Sequence, residues 1–143
     1  MDFLSALHIS ASGLAAERER VDLATSNLAN AETTRGPDGQ PYRRMDPVFR
    51  ATSFESALDS GVSGGAQPMG VEVAGVAVDQ TGGHRVYSPG HPDADAEGFV
   101  TLPNVNPVNE VVNLISAQNA YEANAAAIET LKTMAQQAIG IGK

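Results

Sequence analysis

Apolar residues recur at helical spacing near the end of the chain. From residue 106 to residue 139 an apolar stripe advances in steps of three and four residues, and Asn124 is its one strongly polar member. Pro107 suits the first turn of a helix and Gly140 suits its end. A stripe sustained over about four heptads is typical of a coiled-coil helix, which at ~1.5 Å per residue is about 50 Å long. The stripe comprises Leu114, Ala117, Tyr121, Asn124, Ile128, Leu131, Ala135 and Ala138.

The first 32 residues predict a second amphipathic helix, because they lack proline and contain one glycine. The main apolar register repeats every seven residues at Leu7, Leu14, Val21 and Leu28. Two flanking registers contain Leu4, Ala11 and Thr25 on one side and Phe3, Ala24 and Ala31 on the other. So short a chain cannot wrap a helix as long as the C-terminal one. We therefore expect the helices 1–32 and 106–139 to pack as a coiled coil and form one domain.

Residues 33–105 predict an irregular region with short β-strands. Turn-forming residues are dense at 33–41, and residues 59–70 have the composition of a flexible linker. β-branched residues over 71–79 predict a strand, which we expect to return as a hairpin over 84–87.

Two further strands are expected at 42–51 and 99–102. The predicted fold class is therefore mainly α with a small β region, in which an irregular segment with short hairpin strands joins two long terminal helices. The C-terminal helical segment is taken as 106–143.

The composition narrows the classes of function. The 143 residues contain 17 acidic and 9 basic side chains, a net charge of −8, which argues against binding nucleic acid or anionic lipid. Cysteine is absent, so disulfides and thiolate metal sites are excluded. Neither a cleavable signal peptide nor a membrane-spanning apolar run is visible. Aromatic residues are few, which favours a chain that gains stability by assembling.

The middle of the chain offers three weak candidates for chemistry. Residues 61–65 match the G-x-S-x-G pattern around Ser63, but they lie in a glycine-rich stretch without the strand and helix that a nucleophile elbow needs. Residues 93–98 resemble the start of a calcium loop, but its twelfth position is Asn104, so a solvated acidic turn is favoured. His84 and His91 could hold a metal ion or perform acid–base work, although loop packing is favoured.

Lysine is absent before Lys132, which excludes a phosphate-loop lysine or a Schiff-base lysine in the middle of the chain. Asparagines recur on both helices, where this residue is a poor interior choice, so we expect hydrogen bonds across helix interfaces or selection of register. An exposed polar face is an equal alternative for Asn119 and a weaker one for Asn124. The predicted assembly interface comprises Leu7, Leu14, Val21, Asn27, Leu28, Asn30, Leu114, Tyr121, Asn124, Ile128 and Leu131.

Several segments resemble the bacterial flagellar rod and hook protein family. Residues 10–14 (Ser-Ala-Ser-Gly-Leu) and 26–31 (Ser-Asn-Leu-Ala-Asn-Ala) resemble its N-terminal signature. Residues 86–94, which contain Pro-Gly-His-Pro, resemble its proximal-rod members, and residues 120–124 (Ala-Tyr-Glu-Ala-Asn) are similar to their C-terminal segment. The resemblance covers nearly the whole chain in order.

The resemblance implies a structural subunit of the proximal rod, the drive shaft that transmits torque across the periplasm and lines the export channel. It implies export without a cleaved signal peptide. The implied partners are copies of the chain itself, other rod proteins, membrane-ring and adaptor proteins at the rod base, and the flagellar export apparatus.

We therefore expect no enzymatic activity and no cofactor, and neither nucleic acid nor a small-molecule substrate as a partner. A soluble coiled-coil adaptor or export chaperone is the alternative, and a hydrolase using Ser63 or His91 is a distant third.

Overall fold

The computed structural model describes residues 3–53 and 69–141, which form two long helices with short strands between them. This arrangement confirms the predicted fold class. Residues 59–68 of the predicted linker at 59–70 lie outside the described residues. The last two residues of that predicted linker, 69 and 70, belong to a strand. The elements are α1 (Phe3–Ala29), β1 (Met45–Ser53), β2 (Met69–Val78), β3 (His84–Tyr87), β4 (Phe99–Leu102) and α2 (Pro107–Ile141).

The start of α2 follows local sequence signals, whereas its end does not. Helix α2 begins at Pro107 as predicted, and the Asn106 Oδ1 accepts hydrogen bonds from the backbone N–H groups of Val108 (3.0 Å) and Asn109 (3.4 Å). The predicted stop at Gly140 is wrong, because Gly140 lies within the helix, which ends at Ile141. Glycine within a helix costs only about 1 kcal/mol, which does not force the helix to end.

The strands form two separate two-stranded sheets, β1 with β2 and β3 with β4. Strands β3 and β4 are antiparallel, with His84 opposite Leu102 and Tyr87 opposite Phe99. The predicted hairpin between β2 and β3 is therefore wrong. After β2 the Asp79 backbone N–H still donates to the carbonyl of Arg44 (2.8 Å), which keeps this part of the chain beside the start of β1.

The chain divides into two compact units, and each unit takes part of both helices. The first unit comprises Met1–Glu19, Val48–Gly75 and Ser116–Lys143. The second unit comprises Arg20–Pro47 and Val76–Ile115. The expected division into a helical domain and a separate middle region stays a prediction.

In the first unit, two adjacent residues of α1 contact two other elements. The Ser12 Oγ accepts a hydrogen bond from the backbone N–H of Val71 in β2 (3.1 Å), and a Cβ added at Gly70 would lie 2.8 Å from that hydroxyl. A Cβ added at Gly13 would lie 3.0–3.2 Å from the side-chain amide of Asn124 in α2. Glycine at both positions therefore permits close approach of α1 to β2 and to α2.

We predict that Gly13→Ala does not raise the free energy of unfolding, although glycine-to-alanine changes inside helices normally stabilise by up to ~1 kcal/mol. The new methyl group would crowd Asn124. In an Asn124→Ala background, where that crowding is relieved, the same Gly13→Ala change should recover a gain of about 1 kcal/mol.

Urea unfolding followed by circular dichroism measures both effects. Gly140→Ala is the matched control, since nothing lies within 4 Å of a Cβ at that helical position. Equal gains from Gly13→Ala with and without Asn124 would show that the contact imposes no constraint.

Candidate functional site

A buried carboxylate in the first turn of α2 lies at the centre of a polar cluster in the second unit. Glu110 is 2% exposed. Its Oε1 accepts a hydrogen bond from the Arg44 Nε (2.6 Å), and its Oε2 accepts one from the Asn27 Nδ2 (3.3 Å). The Arg44 guanidinium also pairs with Asp46. Because a buried charge is costly unless it is paired and hydrogen-bonded, these contacts are what allow Glu110 to be buried as a carboxylate.

The charge on Arg44 is stabilised by the same contacts. Partial burial opposes the charged form of this guanidinium. The hydrogen bond and the negative charge of Glu110, with a contribution from Asp46, outweigh that cost and raise the pKa of Arg44 above its ordinary value. The charged form of Arg44 is therefore favoured beside Glu110 and Asp46.

Asn27 of α1 uses its whole side-chain amide within the second unit. Its Oδ1 accepts hydrogen bonds from the Met45 backbone N–H (2.9 Å) and from the Tyr42 hydroxyl (2.9 Å). Its Nδ2 donates to the Met45 carbonyl (2.8 Å) and to Glu110. The amide thus pairs with the first residue of β1 as a neighbouring strand would, and its two acceptor and two donor positions are all occupied.

A second set of contacts ties the loop after α1 to the loop between β3 and β4. The Thr34 hydroxyl donates to the Asp93 Oδ2 (2.7 Å), and the Arg35 Nη2 lies 3.0 Å from the Asp93 Oδ1. The His91 Nδ1 accepts a hydrogen bond from the Asp93 backbone N–H (3.1 Å). His91 and Asp93 are therefore both engaged in contacts between these loops, while His84, for which loop packing was also favoured, is exposed on β3.

Residues 93–98, the acidic segment that resembles the start of a calcium loop, contain a carboxylate that is hydrogen-bonded to nearby backbone N–H groups. The Asp95 Oδ1 accepts hydrogen bonds from the N–H groups of Phe99 and Glu97 (both 2.9 Å), and Asp95 also pairs with Arg85. The hydrogen bond from Phe99 is the largest of these effects, and together they outweigh the opposing effect of burial and lower the pKa of Asp95. Within residues 3–53 and 69–141, three or more His, Asp or Glu side chains are nowhere grouped to hold a metal ion. Ser63 lies outside the described residues.

Except for Asn27, which is buried, the predicted assembly residues at the N-terminal end of the chain are half-buried. Leu7, Leu14, Val21 and Leu28 are half-buried, as is Asn30, whose Nδ2 donates to the Ser26 carbonyl at the end of the helix (2.9 Å). Leu4, Ala11 and Thr25, one of the two flanking registers, are exposed. The buried positions of α1 are Ala16, Leu23, Ala24 and Asn27. Asn27 is itself a predicted assembly residue, and Ala24 belongs to the second flanking register.

The predicted stripe of α2 is largely the less exposed side of that helix. Ala117 is completely buried, and Leu114, Asn124, Ile128 and Leu131 are half-buried. Tyr121 is 40% exposed. The expectation that these residues contact another subunit stays a prediction.

Sequence reasoning missed Glu110 and Arg44, although one signal was available. Glu110 lies four residues before Leu114 and seven before Ala117, so it occupies the apolar stripe of α2. It is also the only charged residue between Glu97 and Glu122. A single carboxylate on a buried helix face indicates a charged partner elsewhere in the chain.

The two helical ends match family models of flagellar proteins. Residues 7–37 match the model described as flagella basal body rod protein, and residues 96–141 match the model described as flagellar basal body rod FlgEFG protein C-terminal. The N-terminal match contains Asn27, and the C-terminal match contains Glu110. The class that these features define is that of the basal-body rod proteins.

Full-length relatives identify the family within that class. The chain is 41% identical to flagellar basal-body rod protein FlgC of Escherichia coli O6:H1 over 143 residues and 43% identical to that of Bacillus subtilis strain 168 over 150 residues, with both chains covered completely. It is 38% identical to FlgC of Borreliella burgdorferi over 99% of this chain and 98% of the relative. The chain belongs to the FlgC family of flagellar basal-body rod proteins.

We predict that Asn27→Asp lowers the free energy of unfolding by roughly 3 kcal/mol or more. The carboxylate cannot donate to the Met45 carbonyl or to Glu110, and it places a second negative charge beside Glu110. Chemical denaturation measures the loss.

Asn119→Asp is the matched control, since Asn119 is exposed on α2 and the same change there should alter stability by less than about 0.5 kcal/mol. Equal losses at the two positions would mean that the cluster contributes nothing specific.

Proposed function

We propose that this chain is a structural subunit of the proximal part of the flagellar rod and that it assembles helically with copies of itself and with other rod proteins. The observation that carries the proposal is the family membership, which extends over the full length of the chain and both terminal helices. The FlgC family is a family of structural rod proteins, and such a role requires no catalytic site.

The exposed apolar side chains support a subunit that assembles. Val108 and Ile139 of α2 are both 70% exposed, and Tyr87 of β3 is 64% exposed. Contacts between different faces of identical subunits generate open helical filaments when the rotation does not close. A chain with exposed apolar residues in both units has surfaces available for such contacts.

We further propose that the chain acts in the periplasm, where it transmits torque as part of the drive shaft and lines the export channel. It would leave the cytoplasm through the flagellar export apparatus without a cleaved signal peptide. At the rod base it would contact the membrane-ring and adaptor proteins. Among the described residues, neither helix combines the length and apolar character needed to cross a membrane.

Deletion of the gene tests the proposal. We expect loss of swimming and basal bodies that lack a rod in electron micrographs, with both restored by the wild-type gene in trans. The purified basal-body fraction of the rescued strain should contain the chain. Normal rods in the deletion strain would contradict the proposal, and a chain found only in the cytoplasm of the rescued strain would favour the adaptor or export chaperone.

A further inference from the structure

The turn between α1 and β1 contains an aspartate that is followed directly by a glycine. In this turn the Gly36 N–H donates to the Gln40 carbonyl (2.7 Å), and the Gly39 N–H donates to the Gly36 carbonyl (3.0 Å). Gly39 has a φ of 77°, a conformation that favours glycine. Asp38 and Gly39 are both exposed. The side chain of Asp38 and the peptide bond after it are therefore open to water.

The Asp38 carboxylate is folded back over the peptide bond that follows it. Its Oδ1 accepts a hydrogen bond from the backbone N–H of Gln40, two residues on (3.2 Å). This Asx turn places the side chain on the side of the Gly39 nitrogen. With the described residues Asp38 makes no ion pair. The carboxylate is thus close to the next backbone nitrogen without being held by a cation.

Two other exposed aspartates have the same Asx turn and differ in the residue that follows. The Oδ1 of Asp79 and the Oδ1 of Asp95 each accept a hydrogen bond from the backbone N–H two residues on (2.8 and 2.9 Å). Asp79 is followed by Gln80 and Asp95 by Ala96. They are therefore internal comparisons in which the carboxylate has a similar local geometry but the next residue has a side chain.

We propose that Asp38 is a site of spontaneous isomerisation to isoaspartate, a covalent modification of the turn between α1 and β1. The Gly39 nitrogen attacks Cγ of the protonated Asp38 side chain. A C–N bond forms, the amide proton is lost, and a carboxyl oxygen departs as water.

The cyclic succinimide that results then takes up water at one of its two carbonyl groups. Attack at the side-chain carbonyl restores aspartate. Attack at the main-chain carbonyl gives isoaspartate, in which the backbone runs through Cβ and Cγ. One water leaves and one water enters, so the reaction needs neither an oxidant nor a reductant, and the mass of the chain is unchanged.

Gly39 is what distinguishes Asp38 from the other aspartates. A side chain on the residue after an aspartate crowds the amide nitrogen during ring closure, and glycine has none. No atom lies within 4 Å of a Cβ added at Gly39, so its surroundings leave the turn room to change conformation. The hydrogen bond from Gly39 to Gly36 must open first, and in an exposed turn such a bond opens at little cost. The isoaspartate content of this turn would therefore record the age of a chain.

Hydrogen bonds make the carboxyl groups of Asp79 and Asp95 less suited to the same reaction. Bonds from Thr81 to Asp79 and from Phe99 to Asp95 are the largest of the effects that lower the pKa of these two carboxyls. Ring closure expels a carboxyl oxygen as water and therefore requires the protonated acid. A lowered pKa depletes that reactive form at both positions.

Ageing of the purified full-length chain tests the proposal. After several weeks in neutral buffer, trypsin, which cuts after arginine, releases residues 36–43 as one peptide. Electron-transfer fragmentation distinguishes isoaspartate from aspartate at each position. We expect isoaspartate to accumulate at Asp38 while Asp79 and Asp95 stay at their starting level. No accumulation at Asp38, or equal accumulation at all three positions, would overturn the proposal.

Gly39→Asn provides a matched variant. Asparagine is the residue other than glycine that best tolerates a positive φ, so the turn is retained, but its side chain hinders ring closure. Isoaspartate at Asp38 should then fall to the level found at Asp79 and Asp95. Undiminished isoaspartate at Asp38 in this variant would contradict the role given to Gly39 and overturn the inference.

Ageing in heavy-oxygen water tests the route itself. Hydrolysis of the succinimide should place one heavy oxygen in each isoaspartate formed at Asp38. Isoaspartate without the heavy oxygen would rule out the cyclic intermediate. None of these outcomes bears on the proposed rod function, which the deletion and rescue experiment tests separately.

Discussion

The hydrogen-bonded ion pair between Glu110 and Arg44 is the interaction on which the second unit of the chain depends. It joins the start of α2 to the residue before β1, and Asn27 adds the end of α1 to the same cluster. Separating the start of α2 from Arg44 would leave a buried carboxylate without its charged partner, which costs about 3–5 kcal/mol. The chain has few aromatic residues, and small apolar side chains alone would define the packing of its elements poorly. We infer that this polar cluster fixes how α1, β1 and α2 pack within the second unit.

The requirement for both a donor and an acceptor explains why one position of the N-terminal motif is asparagine. In the segment 26–31, only the side-chain amide of Asn27 meets both the N–H and the C=O of Met45. The Asn30 amide has a local role instead, since it caps the last turn of α1 at the Ser26 carbonyl and accepts a hydrogen bond from Thr33 (3.2 Å). The two asparagines of the motif thus serve different physical purposes.

Local sequence signals predicted the helices and strands of this fold, whereas the contacts between distant residues could not be predicted from the sequence. The two helices follow from apolar periodicity, and the start of α2 follows from Asn106 and Pro107. The strands were placed correctly at β3 and β4, but their pairing was not, because it depends on contacts distant in sequence. Glu110 binds partners 66 and 83 residues away, Arg44 and Asn27, so only its unusual position on the apolar stripe could have indicated the cluster.

A double-mutant cycle between Arg44 and Glu110 tests the central claim most directly, with both residues changed to methionine singly and together. If the buried pair holds the second unit together, Arg44→Met lowers the free energy of unfolding by roughly 3 kcal/mol, because it leaves the buried Glu110 without its cation. Glu110→Met should cost less, because Arg44 keeps its pair with Asp46. The double change should then cost at least ~1 kcal/mol less than the sum of the two. Purely additive losses would contradict the account, since they would mean that the two side chains contribute independently.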